Sequence, residues 1–355
     1  MSALALVAGA VVAPAVLFKS TADPTYNTNA PTGSLTNSGW QYEGTWGQYL
    51  GTAIAPRYFI TATHVNGNLG DAFTLNGYTY HAVASNASPN ADLTVWKVDA
   101  TFPVYTSLYT NSNEVGKHCV VFGRGTQRGD AVIVNTKTNG WKWDWSLYDG
   151  VKRWGENDVY TNVDFGGSNG EHLQCRFDRS GGSNECHLSV GDSGGAMFIQ
   201  DSSTWKLAGI HHLVDGNFST DGTSNTEFQA ALLDVGGLWV GDGANWQFIP
   251  DQPADIPTSF YSTRISTNVA WINSVIDFLP GDDLRITAVQ VIGNDVSISF
   301  ATTNRLYYVQ RIDDLGNGTW TTFTNNVMGT GGIVSVLDTN AATLPQRFYR
   351  VGLVP

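Results

Sequence analysis

The chain is poor in charge. Only 14% of its 355 residues are Asp, Glu, Lys or Arg, against roughly a quarter in an ordinary soluble domain. Basic residues are the scarcer kind, 19 against 31 acidic, for a net charge of −12. No cluster of Lys and Arg occurs anywhere, which excludes a phosphate-tracking surface and with it a nucleic-acid partner. Cysteine is almost absent, at three residues. No Cys-x-x-Cys or Cys/His spacing of a zinc site is present, so neither a metal nor a cofactor is expected. Beyond the first eighteen residues, no apolar run is long enough to span a bilayer. Helical periodicity is rare too, and one segment, residues 266–279, keeps it, with Ser266 or Thr267 placed to cap its start.

Glycine, Asn, Thr and Ser fill the place of charge, with 39 glycines among them. Between the turns lie short runs such as "YFITATHV", "HCVVFG" and "WKLAGIHHLV". Each is rich in β-branched and aromatic residues, so the chain reads as all-β. Its length suggests two domains, or one large domain with an appendage. Residues 1–18, "MSALALVAGAVVAPAVLF", carry no charge and contain small-residue sites at Ala8-Gly9-Ala10 and Ala13-Pro14-Ala15. They read as a secretory leader lacking its basic start, with a membrane anchor or a buried first strand as the alternatives. A leader implies a secreted, periplasmic or cell-surface protein. Residues 19–38 are polar and Pro-containing, an expected linker or extended arm. Residues 39–281 form the expected main domain, and 282–355, after Pro280-Gly281, a small β-sandwich. Cys175 and Cys186 lie 186 − 175 = 11 positions apart across a Gly-Gly-Ser turn, an expected loop-closing disulfide, with Cys119 as a buried free thiol.

The stretch "CHLSVGDSGGAMF" at 186–198 sets Ser193 among glycines. Alone it is as consistent with a tight turn as with a nucleophile. Its weight comes from His64 at the end of one apolar run and Asp92 at the start of another. A base, an orienting carboxylate and a hydroxyl are what acyl transfer requires, and their order along the chain, His-Asp-Ser, is one of the known orders. "ITATHV", "ADLTV", "VVFGRGTQRG", "GDSGG" and "FYSTRIS…WINSVI" together resemble the trypsin/chymotrypsin-like serine proteases, of the secreted bacterial type, over roughly residues 39–280. The resemblance implies two six-stranded antiparallel β-barrels closed by a C-terminal helix, with the site between them. It implies Ser193 as nucleophile, His64 as base and Asp92 as orienting acid. The N–H groups of Gly191 and Ser193 become the oxyanion hole, and a protein or peptide becomes the substrate.

The departures from that family are as informative. Its zymogen-type members pair a cleaved Ile- or Val-led N-terminus with the acid before the nucleophile, here Asp192. No Ile-Val-Gly-Gly-like stretch precedes "QYLGTAIA". A buried carboxylate needs a partner, and Arg124 is the candidate. The pocket positions fall on His187 and His211, two imidazoles suited to an acidic side chain next to the scissile bond. His212 replaces a serine that usually supports the catalytic Asp. Trp141, Trp143 and Trp145 alternate in "NGWKWDWSLYDG", either as packing for a long loop or as a wall for substrate or glycan. Residues 214–227 are rich in oxygen ligands but lack EF-hand spacing, and read as a surface loop. Two other functions fit the same residues. One is a non-catalytic binding or adhesion protein on a protease scaffold, with the C-terminal module touching glycan or a cell surface. The other is an esterase-like hydrolase. Oligomeric state is not legible.

Overall fold

The structure is a computed structural model that describes residues 16–276, 286–302, 306–316, 318–330 and 332–354. The chain divides into two compact units, Met1–Val269 and Ala270–Pro355. The first unit contains two closed six-stranded barrels, as expected from the sequence. In hydrogen-bonded order the first barrel runs Glu43–Trp46, Tyr49–Ala55, Tyr58–Thr61, Thr94–Val98, Tyr78–Ala87 and Ala72–Leu75. The second runs Arg153–Asp164, Glu171–Arg176, Ser259–Arg264, Thr204–Val214, Ala196–Asp201 and His118–Gly123. Every pairing within them is antiparallel.

Aromatic rings fill the first barrel. Phe59 and Phe73 stack with centroids 4.0 Å apart, and Trp46 and Trp96 pack beside them. Burying each ring stabilises the barrel by roughly 2–3 kcal/mol. The stack is possible because Gly44 lacks a side chain: a Cβ there would sit 2.4 Å from Phe73. The second core gathers Phe18, Val121, Leu173, Met197, Ile199 and Phe260.

All three cysteines lie buried in that second core as free thiols. The expected bridge between Cys175 and Cys186 is not formed. Cys175 sits in the ladder between Val159 and Phe260, its sulfur 3.9 Å from that of Cys119. Cys186 belongs to a separate two-residue strand and turns its sulfur to the Glu156 carbonyl.

A six-stranded side sheet flanks the barrels, and the sequence did not announce it. Its order is Gln247–Phe248, Trp239–Val240, Asn217–Ser219, Phe228–Leu232, Lys137–Asp144 and Gln127–Val134. Within it Trp143 is buried with Leu17 and Phe177, while Trp141 packs against that cluster beneath the Arg128 guanidinium at 3.6 Å. A register shift between Trp141 and Trp143 interrupts the strand, and Trp145 falls outside it, 57% exposed. The alternating tryptophans are therefore mostly packing.

The N-terminal segment is part of the first unit. Val16, Leu17 and Phe18 are fully buried. Leu17 and Phe18 form a strand against His187 and Cys186. The arm that follows is docked by polar contacts: Tyr26 donates to Asn184 at 2.8 Å, and Arg153 donates to the Pro24 carbonyl at 2.7 Å. Val16 has φ 60, a left-handed conformation that a β-branched residue adopts only at a cost.

The periodic segment at 266–279 forms a helix at Val269–Val275, and residues 277–280 lie outside those described. Ser266 donates its hydroxyl to Glu114, and Thr267 to the Arg264 carbonyl. In the second unit, two three-stranded sheets share one core of Val296, Ile298, Phe300, Tyr307 and Val309, a small sandwich. Among the described residues, no helix is long and apolar enough to cross a membrane.

Candidate active site

The pairing of Tyr58–Thr61 with Thr94–Val98 puts Thr61 opposite Thr94. The turn after one strand and the loop before the other therefore emerge at the same end of the first barrel. His64 lies in the 3-10 turn Thr63–Val65, and Asp92 just before Thr94. Thr63 and Thr94 share a 2.9 Å hydroxyl bond that ties the two segments. Asp92 accepts twice from His64: from the backbone N–H at 3.0 Å and from Nδ1–H at 2.6 Å. That fixes the tautomer, leaving Nε2 as an acceptor. The Ser193 hydroxyl, from the second barrel, donates to Nε2 across 2.8 Å. Burial pushes the Asp92 carboxyl up, but the His64 hydrogen bond and the neighbouring imidazoles outweigh it and hold it below the ordinary carboxylate range. The three residues singled out from the sequence are thus brought into one line.

The loop before Ala196–Asp201 is shaped by its own hydrogen bonds. Asp192 N–H donates to Ser189, Gly194 N–H to His211 and Gly195 N–H to Asp192. Among the described residues, the N–H groups of Gly191 and Ser193 donate to no acceptor. Gly194 has φ 76, and a Cβ there would lie 2.2 Å from Thr61 Oγ1. Only glycine fits this corner.

Asp192 is buried, at 1% exposure, and burial pushes its pKa up to about 6. Its carboxyl accepts from Gly125 N–H at 2.7 Å and from Ser189 N–H at 2.7 Å. Arg124 is not its partner. That guanidinium donates to the carbonyls of Gly150 at 2.9 Å and Gly47 at 3.1 Å, bridging two loops. A Cβ on the preceding residue, Gly123, is what would point at the Asp192 carboxyl. What does lie beside Asp192 is Val16. A Cβ placed on Gly123 would meet Asp192 Oδ1 at 2.0 Å and the Val16 methyl at 3.0 Å. The sequence carried no sign of this proximity except the small-residue site ending at Ala15.

A cleft of about 260 Å³ opens beside Ser193, walled by Leu188, Val190, Leu213 and Val214. His211 also borders it, but its ring is 1% exposed and its Nδ1 pairs with the Ser262 hydroxyl at 2.8 Å. His187 is sealed in the barrel between Phe177 and Phe260, with Nδ1 on the Leu188 carbonyl, and does not line the cleft. Burial lowers both imidazoles, His187 to about 4 and His211 to about 3. The expected pair of facing imidazoles is therefore reduced to one neutral ring at the border.

His212 is 3.5 Å from Asp92 Oδ2 through Nε2, and its Nδ1 is 2.7 Å from His172 Nε2. His172 was not singled out from the sequence. It stands on the strand Glu171–Arg176, with no local pattern to mark it. His64, Asp92 and His212 together bring nitrogen and oxygen atoms within 4.8 Å of one another. The 2.6 Å bond between His64 and Asp92 leaves no room for an ion, whose ligands stand about 2 Å from the metal and farther from each other. In the oxygen-rich loop, Asp221 Oδ1 already accepts from Thr223 N–H at 2.9 Å and from the Thr226 hydroxyl at 2.6 Å, so the loop closes on itself.

No family model and no curated protein matches the chain. Among solved structures, it is similar to neuropsin, described as a serine protease expressed in the limbic system of mouse brain. The identity is 14% and the TM-score 0.40, over 68% of this chain and 96% of that one. It is also similar to HBP, at 14% identity and TM-score 0.41, over 68% of this chain and 93% of that one. At these values the functional reading rests on the chain's own barrels and site.

Proposed function

We propose that this chain is a serine peptidase in which Ser193, His64 and Asp92 cleave a peptide bond through an acyl-enzyme. The observation that carries the reading is the unbroken line from Ser193 Oγ to His64 Nε2 at 2.8 Å and from His64 Nδ1 to Asp92 at 2.6 Å. Ser193 Oγ attacks the scissile carbonyl while His64 takes its proton. Asp92 stabilises the imidazolium so formed and keeps the ring in place. The free N–H groups of Gly191 and Ser193 support an oxyanion hole, where one donor is worth about 3 kcal/mol of barrier. His64 then returns the proton to the leaving amine, and water repeats the sequence on the acyl group.

The cleft walls favour a medium-sized apolar residue before the scissile bond. The acidic preference was expected from His187 and His211; of that pair only His211 borders the cleft, and burial keeps both it and the neighbouring His212 neutral. Labelling with a fluorophosphonate probe tests the whole reading. Wild type should label and Ser193→Ala should not. Folded wild type that stays unlabelled would leave a binding protein on the same scaffold as the better account.

The reading extends to the N-terminus. Cutting after Ala13-Pro14-Ala15 makes Val16 the first residue, beside a buried Asp192 with no cationic partner within ion-pair distance among the described residues. The new α-ammonium would supply the missing charge, and the left-handed φ at Val16 would be free to relax. Leader removal and activation then become one event, which supports secretion as the trigger.

A further inference from the structure

Behind Asp92 lies a chain of polar contacts that the triad does not use. His172 Nδ1 is 3.1 Å from the Gly170 carbonyl. His172 Nε2 is 2.7 Å from His212 Nδ1, and His212 Nε2 is 3.5 Å from Asp92 Oδ2. The rings lie 5.0 Å apart, centroid to centroid. His212 reaches this position because a bulge breaks the ladder between His211 and Leu213. His211 keeps its register opposite Ser262 and points into the barrel, while the unpaired His212 faces Asp92 on the first barrel.

The ends of this chain of contacts are a carbonyl and a carboxylate, which only accept. Three contacts therefore need three N–H protons, one each. Two neutral imidazoles carry two. With His172 Nδ1–H on Gly170 and His212 Nδ1–H on His172, a bare nitrogen of His212 faces the Asp92 carboxylate. With the opposite tautomers, a bare nitrogen of His172 faces the Gly170 carbonyl. One added proton, shared by the pair, fills all three contacts. In the first arrangement the unfilled contact is the one to Asp92, the longest of the three at 3.5 Å.

We propose that His172 and His212 are positioning residues that act as a single proton-binding relay on Asp92, and that acidification places the relay's proton on the same Asp92 oxygen that orients His64. This rests on the peptidase reading for its consequence, not for its geometry. The groups that face the relay are Asp92 and His64 on the first barrel and Asp164 on the second. Burial pushes His172 and His212 down, His212 to about 4, while Asp92 pulls against that, so the neutral pair is the working form near neutral pH. When the proton arrives, His212 N–H competes with His64 Nδ1–H for Oδ2. The added positive charge also opposes the His64 imidazolium that catalysis must form. Activity then falls with two protons rather than one.

The experiment is a pH titration of histidine ring nitrogens by 15N NMR, on Ser193→Ala protein that needs no activity, with kcat/KM profiles of the active form beside it. The expected result is one proton shared between His172 and His212 on acidification. The downfield proton of the His64–Asp92 bond should shift in the same step. The acid limb of kcat/KM should steepen from one to two powers of ten per pH unit. In His212→Ser both effects should vanish, leaving a limb of one. His172→Gln keeps a donor for His212 but removes a titrating ring, and should abolish the sharing. Independent titration of the two rings would overturn the proposal, and so would a His64–Asp92 signal that ignores their protonation. An unlabelled but relay-titrating protein would count against the peptidase reading alone.

Discussion

The most informative single change is one residue at the N-terminus. We compare a chain beginning at Val16 with one that keeps Ala15 before it. Asp192 is raised to about 6 from 3.8 by burial. Two pKa units correspond to about 3 kcal/mol. An α-ammonium set against this carboxylate recovers a cost of that order. It shifts the loop carrying Gly191 and Ser193 toward its ordered form by a factor of about 100, since each 1.4 kcal/mol is tenfold. Relaxing Val16 from its left-handed φ adds about 1–2 kcal/mol. The assay is the rate of fluorophosphonate labelling as a function of pH. The chain beginning at Val16 should label roughly 100-fold faster near pH 7. Pairing raises the folded-state pKa of the α-amino group above its ordinary value near 8. The pair's contribution is therefore complete below that value and is lost as pH rises through the folded-state pKa. The chain beginning at Val16 should show this alkaline limb, and an N-acetylated one should not. Equal labelling of the two chains at every pH refutes the role of Val16, whatever the fate of the triad.

Three further outcomes follow from the geometry. Gly194→Ala should abolish labelling while leaving the barrels folded by circular dichroism, because its Cβ would meet Thr61 Oγ1 at 2.2 Å at φ 76; an active variant would show that the corner adapts. His187 is buried neutral with a pKa near 4, against about 6.5 when unfolded, so its contribution is full above 6.5 and is lost as pH falls toward 4. Denaturant titrations should therefore show wild type losing about 3 kcal/mol relative to His187→Phe over that window, and a constant difference would contradict the assignment. Finally, a thiol reagent should modify none of Cys119, Cys175 and Cys186 in the folded protein and all three after denaturation without reductant; a count of one would mean that a bridge had formed.

The triad was readable from sequence because His64 and Asp92 sit at the ends of apolar runs, Ser193 sits in "GDSGG", and the motifs together resemble one family. His64 and Asp92 needed only the pairing of Thr61 with Thr94 to meet. The short runs read only as all-β; the two barrels were implied by the family resemblance that the motifs carry. What escaped was set by register and bulges, which local patterns do not encode. His211 and His212 point to opposite faces by simple alternation, but the bulge that leaves His212 unpaired opposite the first barrel is not written in the local pattern. His172 is distant from both and is joined to them only through strand order. Arg124 and Asp192 look complementary as charges, but the backbone amides of Gly125 and Ser189 reach the carboxyl first. The side sheet was hidden because its strands read as ordinary loop-bounded runs. Val16 was hidden by composition, since an apolar leader and a buried first strand have the same letters.

Arg124 leaves one more consequence. Its guanidinium holds Gly150 of one loop and Gly47 of another through carbonyl dipoles, with no carboxylate among these partners. The Tyr148 hydroxyl adds a second tie, to the Gln48 carbonyl at 2.9 Å. Carbonyls do not titrate. The two loops are therefore coupled mechanically by ties that do not change with pH. A force that pries one loop outward must carry the other with it.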